Sequence, residues 1–503
     1  MTMPLCPIAR HPALLLLLGA AVLTAQPGDP AAVAAEAQQA MEAGRFAQAA
    51  ELYTQLYPLA PDNLGMLMNL GMARSMAGQS AEAIEPLSKA VAKDPSVFPA
   101  QLFLGSSYFS LGKFENAVRA LEAAAKLDPE HPPVRRMLSE AYARLGRPNS
   151  ALPHLKKLTA LEPEVAASWA LLGQTYAQIA QDAFAKLNET APESAHMLRL
   201  MGDIRFSAQQ YPSSFYLYRE ALKRKTGWRG LHAVIAEIYR RTDRAEWAAA
   251  EEAKERALGE VNCETERFEC LFAEKKLEEL RLAVATRDNT EGYYWLTQSA
   301  NLLSEEAFAH LEQMEPSLGV HVARAEAYKG RGQFAEAAKQ WAAALKLAPS
   351  DSDLEAEHAI ALFQSGQLEQ AEPRLKTLLT KSPEEPNWSF MMGYILLGRQ
   401  QAEEAAILLA KAVKLDPKML PAQQSLGRAY MQLGRDADAI PHLKQALPLD
   451  EDGSLTYQLA QAYRSTGDRE AAAPLLERYQ QIQAAQQQAA EENQADVQIT
   501  APQ

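Results

Sequence analysis

Residues 98–131 read FPAQLFLGSSYFSLGKFENAVRALEAAAKLDPEH. Tyr108 lies four positions beyond Leu104 and three beyond Gly105, a spacing that stacks side chains on one face of a helix. Gly112 then supplies a residue that tolerates the left-handed backbone of a helix C-terminus. Phe114, Ala117, Leu121 and Ala124 form the apolar stripe of a second helix, which Pro129 stops by removing a donor and crowding the turn before it. The stretch therefore predicts a helix hairpin. Gly105 and Ala117 are small where the two helices must approach, and Tyr108 and Phe114 fill the space toward the next hairpin.

The same punctuation recurs along the chain. Pro61, Pro95, Pro129 and Pro163 are 34 residues apart, as are Gly44, Gly78, Gly112 and Gly146, and Ala49, Ala83, Ala117 and Ala151. Pro316, Pro349, Pro383 and Pro417 repeat at 33 or 34, with Gly332, Gly366, Gly434 and Gly467 at matching places. A fixed period of this length marks a repeat array in which each unit buries its apolar face against its neighbours. Composition agrees: 48% of the 503 residues are apolar but only 7% aromatic, the make-up of Ala-packed helices. The class is all-α.

Leu104-Gly105, Tyr108, Gly112, Phe114, Ala117, Leu121, Ala124 and Pro129 resemble the pattern of the tetratricopeptide repeat (TPR) family. Further copies are LLGQTYAQ with Trp169, ARAEAYKGRGQFAEAAKQWAAALKLAP ending at Pro349, and QSLGRAYMQLGRDADAIPHLKQALPLD ending at Asp450. The resemblance covers about nine tenths of the chain after residue 25 and implies a right-handed superhelical solenoid of about thirteen antiparallel hairpins, TPR-like arrays over 30–258 and 292–483. The middle departs from the pattern. Pro163 and Pro192 are 29 apart and the Gly between helices is missing in TYAQIAQDAFAKLNETAPES, so two helices are fused there or joined differently. YYWLTQSANLLSEEAFAHLEQMEPS repeats the feature, Ala307 to Leu311 matching Ala183 to Leu187, and gives the array the look of an internal duplication. Residues 259–291 fit poorly and read as an atypical helical join between two arms.

Cys263 and Cys270 lie in that join. A disulfide, part of a metal site and two core thiols are all open to them. On one helix, seven residues would separate the Cα atoms by about 10 Å, too far for a bridge. A disulfide thus needs Cys263 ahead of the helix start, which Gly259 and Asn262 allow. No His or Cys stands near enough in sequence to complete a metal site, so no metal is expected.

The segment MTMPLCPIARHPALLLLLGAAVLTAQ joins Arg10 to an apolar run, Ala13 to Ala25, too short to cross a bilayer and ending in small residues. It reads as a secretory signal peptide over 1–25, which places the remaining chain in a periplasm or outside the cell. Cys6 precedes the apolar run, where a lipoprotein cysteine would follow it. No later segment reads as a membrane span. The net charge of -13 is wrong for a nucleic-acid binder, which needs clustered Lys and Arg to displace counterions. Residues 484–503 form a Gln-rich polar tail, expected to begin as the end of a capping helix and then fray.

In this family the first helix of each hairpin lines the ligand-binding concave face, and the resemblance points to Met68, Met72 and Met76, to Phe109, and to Phe363, Phe390, Tyr394 and Met431 as partner-binding residues. Met side chains reshape to varied partners, and apolar patches on a recessed surface mark binding sites. The same spacing also suits core packing between helices. Arg136 with Glu140, Arg199 with Asp203, and Glu237 with Arg240 make the intervening surface charged. The Lys and Asn set with which chaperone-binding relatives clamp a carboxylate is absent. So are HExxH, GxxxxGK[ST] and GxSxG, and no catalytic residue, enzyme activity or cofactor is expected. The expectation is an exported scaffold or adaptor holding a peptide or helix of a protein partner. The alternative is an assembly factor of an envelope complex that acts by self-association or its convex face.

Overall fold

The computed structural model describes residues 29–495 and 498–502; the expected signal peptide lies outside them. Among the described residues the regular structure is helical, with no strand, as an all-α repeat array requires. The chain divides into two compact units, at Arg147 and Pro148, not at the expected join.

In the first unit, α1 (Pro30–Glu42) pairs with α2 (Phe46–Leu56), α3 (Leu64–Met76) with α4 (Ser80–Lys93), and α5 (Phe98–Ser110) with α6 (Phe114–Leu127), followed by α7 (Pro132–Arg144). The second helix of each hairpin packs on the first helix of the next. Asn63 starts α3 by accepting from the Met66 amide at 3.0 Å, which satisfies one of the orphan donors of the first turn. Gly112 ends α5 at φ +70°. Its amide donates to the Phe109 carbonyl and that of Lys113 to the Tyr108 carbonyl, both at 2.9 Å, so two terminal carbonyls are satisfied. Gly71 and Gly105 are required by close approach: a Cβ there would fall 2.4 Å from Leu87 Cγ and 2.6 Å from Leu121 Cγ. Pro86 inside α4 has no amide to give the Glu82 carbonyl, and Arg74 donates to that carbonyl instead, at 3.1 Å.

The second unit comprises α8 (Pro148–Leu161), α9 (Ala166–Thr190), α10 (Ala195–Ser207), α11 (Tyr211–Arg224), α12 (Leu231–Arg241), α13 (Ala245–Ala257), α14 (Arg267–Ala273), α15 (Leu277–Val284) and α16 (Thr290–Gln313). It continues with α17 (Leu318–Gly330), α18 (Phe334–Leu347), α19 (Ser352–Gln364), α20 (Leu368–Lys381), α21 (Pro386–Gly398), α22 (Ala402–Leu415), α23 (Leu420–Gln432), α24 (Asp436–Ala446), α25 (Ser454–Ser465) and α26 (Arg469–Ala495). Residues 484–495 extend α26, as expected of a tail that begins as the end of a capping helix, in keeping with the helix propensity of Ala, Gln and Glu.

The absent Gly has a clear consequence: α9 and α16 are each one continuous helix of 25 and 24 residues, and they pack on one another. In the regular hairpins the notch at a first-helix Gly is filled by a residue sixteen further on, Tyr218 at Gly202, Leu409 at Gly393 and Leu443 at Gly427. At Gly173 the filler is Phe308, whose ring would stand 2.7 Å from an added Cβ. The Ser214 hydroxyl donates to the Gly202 carbonyl across 12 residues, and the Ser304 hydroxyl donates to the Gly173 carbonyl across 131. Both comparisons give the same excess, 119 residues. The first half of α9 and the second half of α16 are therefore the two helices of a single repeat. An arm, α10 to α15 with the distal halves of α9 and α16, is inserted between them. Segment 259–291, read from sequence as a join between two successive arms, instead contains the last hairpin of this insertion, with α15 packed on α16. Past the split, α17 packs directly on α9 and the array resumes.

Candidate functional site

Asp351 opens α19 by accepting from the Asp353 and Leu354 amides at 2.9 and 3.1 Å. Glu385 caps α21, with Pro386 at the first helical position where its missing N–H costs nothing. The two helices are first helices of successive hairpins, and they bring Phe363, Phe390 and Tyr394 together. Phe363 meets Tyr394 edge-on at 5.3 Å between ring centroids and Phe390 at 6.0 Å, and Phe390 lies 6.3 Å from Tyr394. Phe363 and Phe390 are half-buried against the core that contains Trp341, Leu362, Met391 and Leu409. Tyr394 is 40% exposed. An aromatic cluster seated on a packed core with one open ring presents apolar surface at little entropic cost.

Between the first helices of the two preceding hairpins, Lys329 of α17 donates to Glu357 of α19 at 2.8 Å and, within α17, to Glu326 at 3.1 Å. Burial alone would depress the Lys329 pKa, but the two carboxylates outweigh it and hold the ammonium above its ordinary range. The α17–α19–α21 face thus joins aromatic area to a fixed charge set.

The remaining sequence-predicted residues are placed differently. Met68, Met72 and Met76 are half-buried on α3. Phe109 packs edge-on against Phe114 at 5.5 Å, over the core of Val118, Leu121 and Leu138. Met431 packs against the core cluster that contains Ala439, Leu443 and Leu455. These two contribute to packing, as helical spacing also allowed.

In the inserted arm, Arg199 and Asp203 take separate partners. Arg199 stacks over the Trp228 ring at 4.7 Å and donates to the Arg229 carbonyl at 3.0 Å. Asp203 accepts from the Tyr218 hydroxyl at 2.8 Å and from Gln298 at 3.0 Å, and burial raises its pKa. Burial drops the neighbouring His196 to about 4, with Lys225 and Arg199 adding to the shift. Glu237 does pair with Arg240, at 2.7 Å.

Cys263 and Cys270 are joined by a disulfide with Cα atoms 5.2 Å apart, Cys263 standing in the turn ahead of α14. Glu274 lies against the sulfurs, but in the bridged form neither offers a thiolate to a metal. Sequence reasoning missed Arg229, which organises this turn. It donates to the carbonyls of Leu258, Gly259 and Glu260 and pairs with Glu266 at 3.2 Å. Its only signal was an Arg between Gly227 and Gly230. Among the described residues no helix is long and apolar enough to cross a membrane.

Tetratricopeptide repeat family models match residues 34–97 and 356–419, 108–175 and 396–458, and 454–480, together about half of the chain. None of the curated proteins matches. Among solved structures, a tetratricopeptide repeat protein from Parabacteroides merdae aligns over 80% of this chain and 98% of its own at 13% identity and a TM-score of 0.36. MamA (residues 41 to the end) from Desulfovibrio magneticus aligns over 34% of this chain and 96% of its own at 21% identity and a TM-score of 0.30. The repeat pattern, the hairpins built on it and the matching family models agree: the chain belongs to the tetratricopeptide repeat family.

Proposed function

We propose that this protein is an exported interaction scaffold that holds a peptide or helix of a protein partner against the face built by α17, α19 and α21. The repeats support a protein–protein interaction scaffold. The Phe363–Phe390–Tyr394 cluster carries the finer reading, because a half-open aromatic group on a rigid core is the kind of surface that anchors a partner side chain. Lys329 with Glu326 and Glu357, on α17 and α19, selects among partners by charge, since a misplaced like charge costs several kcal/mol while a matched one adds little. Export rests on the apolar segment after Arg10.

The test is affinity capture by residues 26–503 from envelope extract, beside the Phe390→Ala, Tyr394→Ala double variant. A partner held by the parent and lost by the variant, with helicity unchanged in both, is the expected result. Equal retention by both would remove this face from the interaction.

A further inference from the structure

Tyr239 lies in the last turn of α12, fully buried, with the Phe215 and Trp247 rings each 5.6 Å away. Its hydroxyl donates at 2.6 Å to the carbonyl of Thr500, 261 residues along the chain. Thr500, near the end of the sequence, thus lies against the inserted arm. Ile499 and Pro502 are half-buried, whereas Gln498, Thr500 and Ala501 are exposed. These residues lie in no helix or strand, so their carbonyls are not taken up by a helical or sheet ladder and are open to a donor such as Tyr239.

The seat for this segment exists because stacking in the arm is incomplete. In the regular array α18 buries Ala337, Ala338, Trp341, Ala344 and Leu345, but α13 buries only Ala248 and Glu251. The α12–α13 hairpin therefore keeps open a side that the next hairpin would normally cover. Arg219, Arg244 and Glu251 all act on the Tyr239 hydroxyl, which burial and then Glu251 push up to about 12, so it is a protonated donor at neutral pH. Residues 498–502 read QITAP and carry no side-chain charge, so they occupy this site without desolvating an ion among fixed charges.

We propose that the Tyr239 end of α12 is a docking site for an extended, uncharged peptide segment, and that the chain's own C-terminal residues occupy it in cis. A partner presenting a segment of the same chemistry binds there only by displacing them. Because a short tether supplies an effective concentration on the order of 1 mM, a free segment of equal intrinsic affinity competes poorly with the tail. This site is separate from the aromatic face of α19 and α21, and it stands or falls independently of that reading.

The probe is a fluorescein-labelled synthetic peptide of residues 496–503, followed by anisotropy. Chains ending at Ala495 should bind it, and the full chain should bind it at least about tenfold more weakly, as a tethered competitor requires. Tyr239→Phe in the shortened chain keeps both ring contacts and removes one hydrogen bond, so affinity should fall about threefold to tenfold with an unchanged helical melt. In the full chain, a dye at Ala501→Cys should lose anisotropy when Tyr239→Phe is added, which reads the contact without truncation. No binding to the shortened chain, equal binding to both chains, or indifference to Tyr239→Phe would each overturn the proposal.

Discussion

If α9 and α16 are two halves of one repeat, Gly173 and Phe308 must be energetically coupled although the sequence separates them widely. Phe308 is 5% exposed, packs with Ala166, Ala170, Leu311 and Ala323, and lies under the Arg331 guanidinium at 4.5 Å from the ring centroid. Phe308→Ala should cost about 3–5 kcal/mol, the usual loss for emptying an aromatic site in a core. Gly173→Ala places a methyl group 2.7 Å from that ring. The overpacking penalty of about 1–3 kcal/mol is partly offset by the roughly 1 kcal/mol that Ala gains over Gly in a helix. In the double variant the methyl group enters the space the ring has left. The penalty disappears, and the two changes should be non-additive by about 1–3 kcal/mol. The assay is urea unfolding of all four proteins, followed by far-ultraviolet circular dichroism. Gly393→Ala with Leu409→Ala is the control cycle, since those two residues make the same contact within an ordinary hairpin. Additivity within about 0.5 kcal/mol at Gly173 and Phe308, alongside coupling in the control, would refute the split repeat.

Excising residues 181–299 and replacing Ala180 by Gly should join the two halves into one ordinary repeat and leave a soluble, helical chain; loss of the cooperative melt would argue against insertion. Reduction of Cys263–Cys270, which closes a short loop across a sequence separation of 7, should lower stability by about 2 kcal/mol in the chain-entropy account. Hydrogen exchange should rise around residues 258–275, and identical exchange in oxidised and reduced protein would contradict this. Burial lowers His196 and His358 from 6.5 to about 4, Lys225 and Arg199 contributing at the first and Arg374 at the second. The unfolded chain then binds more protons than the folded one between these values, so the stability contribution is complete above pH 6.5 and lost as pH falls toward 4. Replacing both histidines by Gln should flatten urea midpoints across that window, and an unchanged slope would show that other groups set it.

The hairpins were legible because each is specified locally. Gly112 must take φ +70° and Gly105 must admit Leu121, and both demands fall within one repeat length. The continuity of α9 was also legible, from the missing Gly between its halves. Its partner was not, because nothing near residue 173 in sequence names Phe308. One local sign was present: the residue sixteen beyond Gly173 is Glu189, an exposed carboxylate that cannot fill an apolar notch. Asking of each repeat Gly whether an apolar residue stands at that offset would have exposed the break. The aromatic group of α19 and α21 was singled out by the family resemblance, mapped on to the chain through helical register. The same register could not separate Phe390 and Tyr394 from Phe109, whose ring turns to Phe114.

The contact between Tyr239 and Thr500 lay furthest from anything the sequence could declare, since a carbonyl acceptor leaves no trace in residue type. What sequence does carry is the weakness of α13 as a repeat helix: Glu251, Glu252 and Glu255 occupy a helix whose counterparts α18 and α22 are rich in buried Ala and Leu. A charged second helix cannot bury a following hairpin cheaply, so stacking stops there and the side of α12 and α13 stays open. The insertion therefore adds more than length. By interrupting the stack it creates an unfilled position in an otherwise close-packed array, and an extended segment requires such a position to dock.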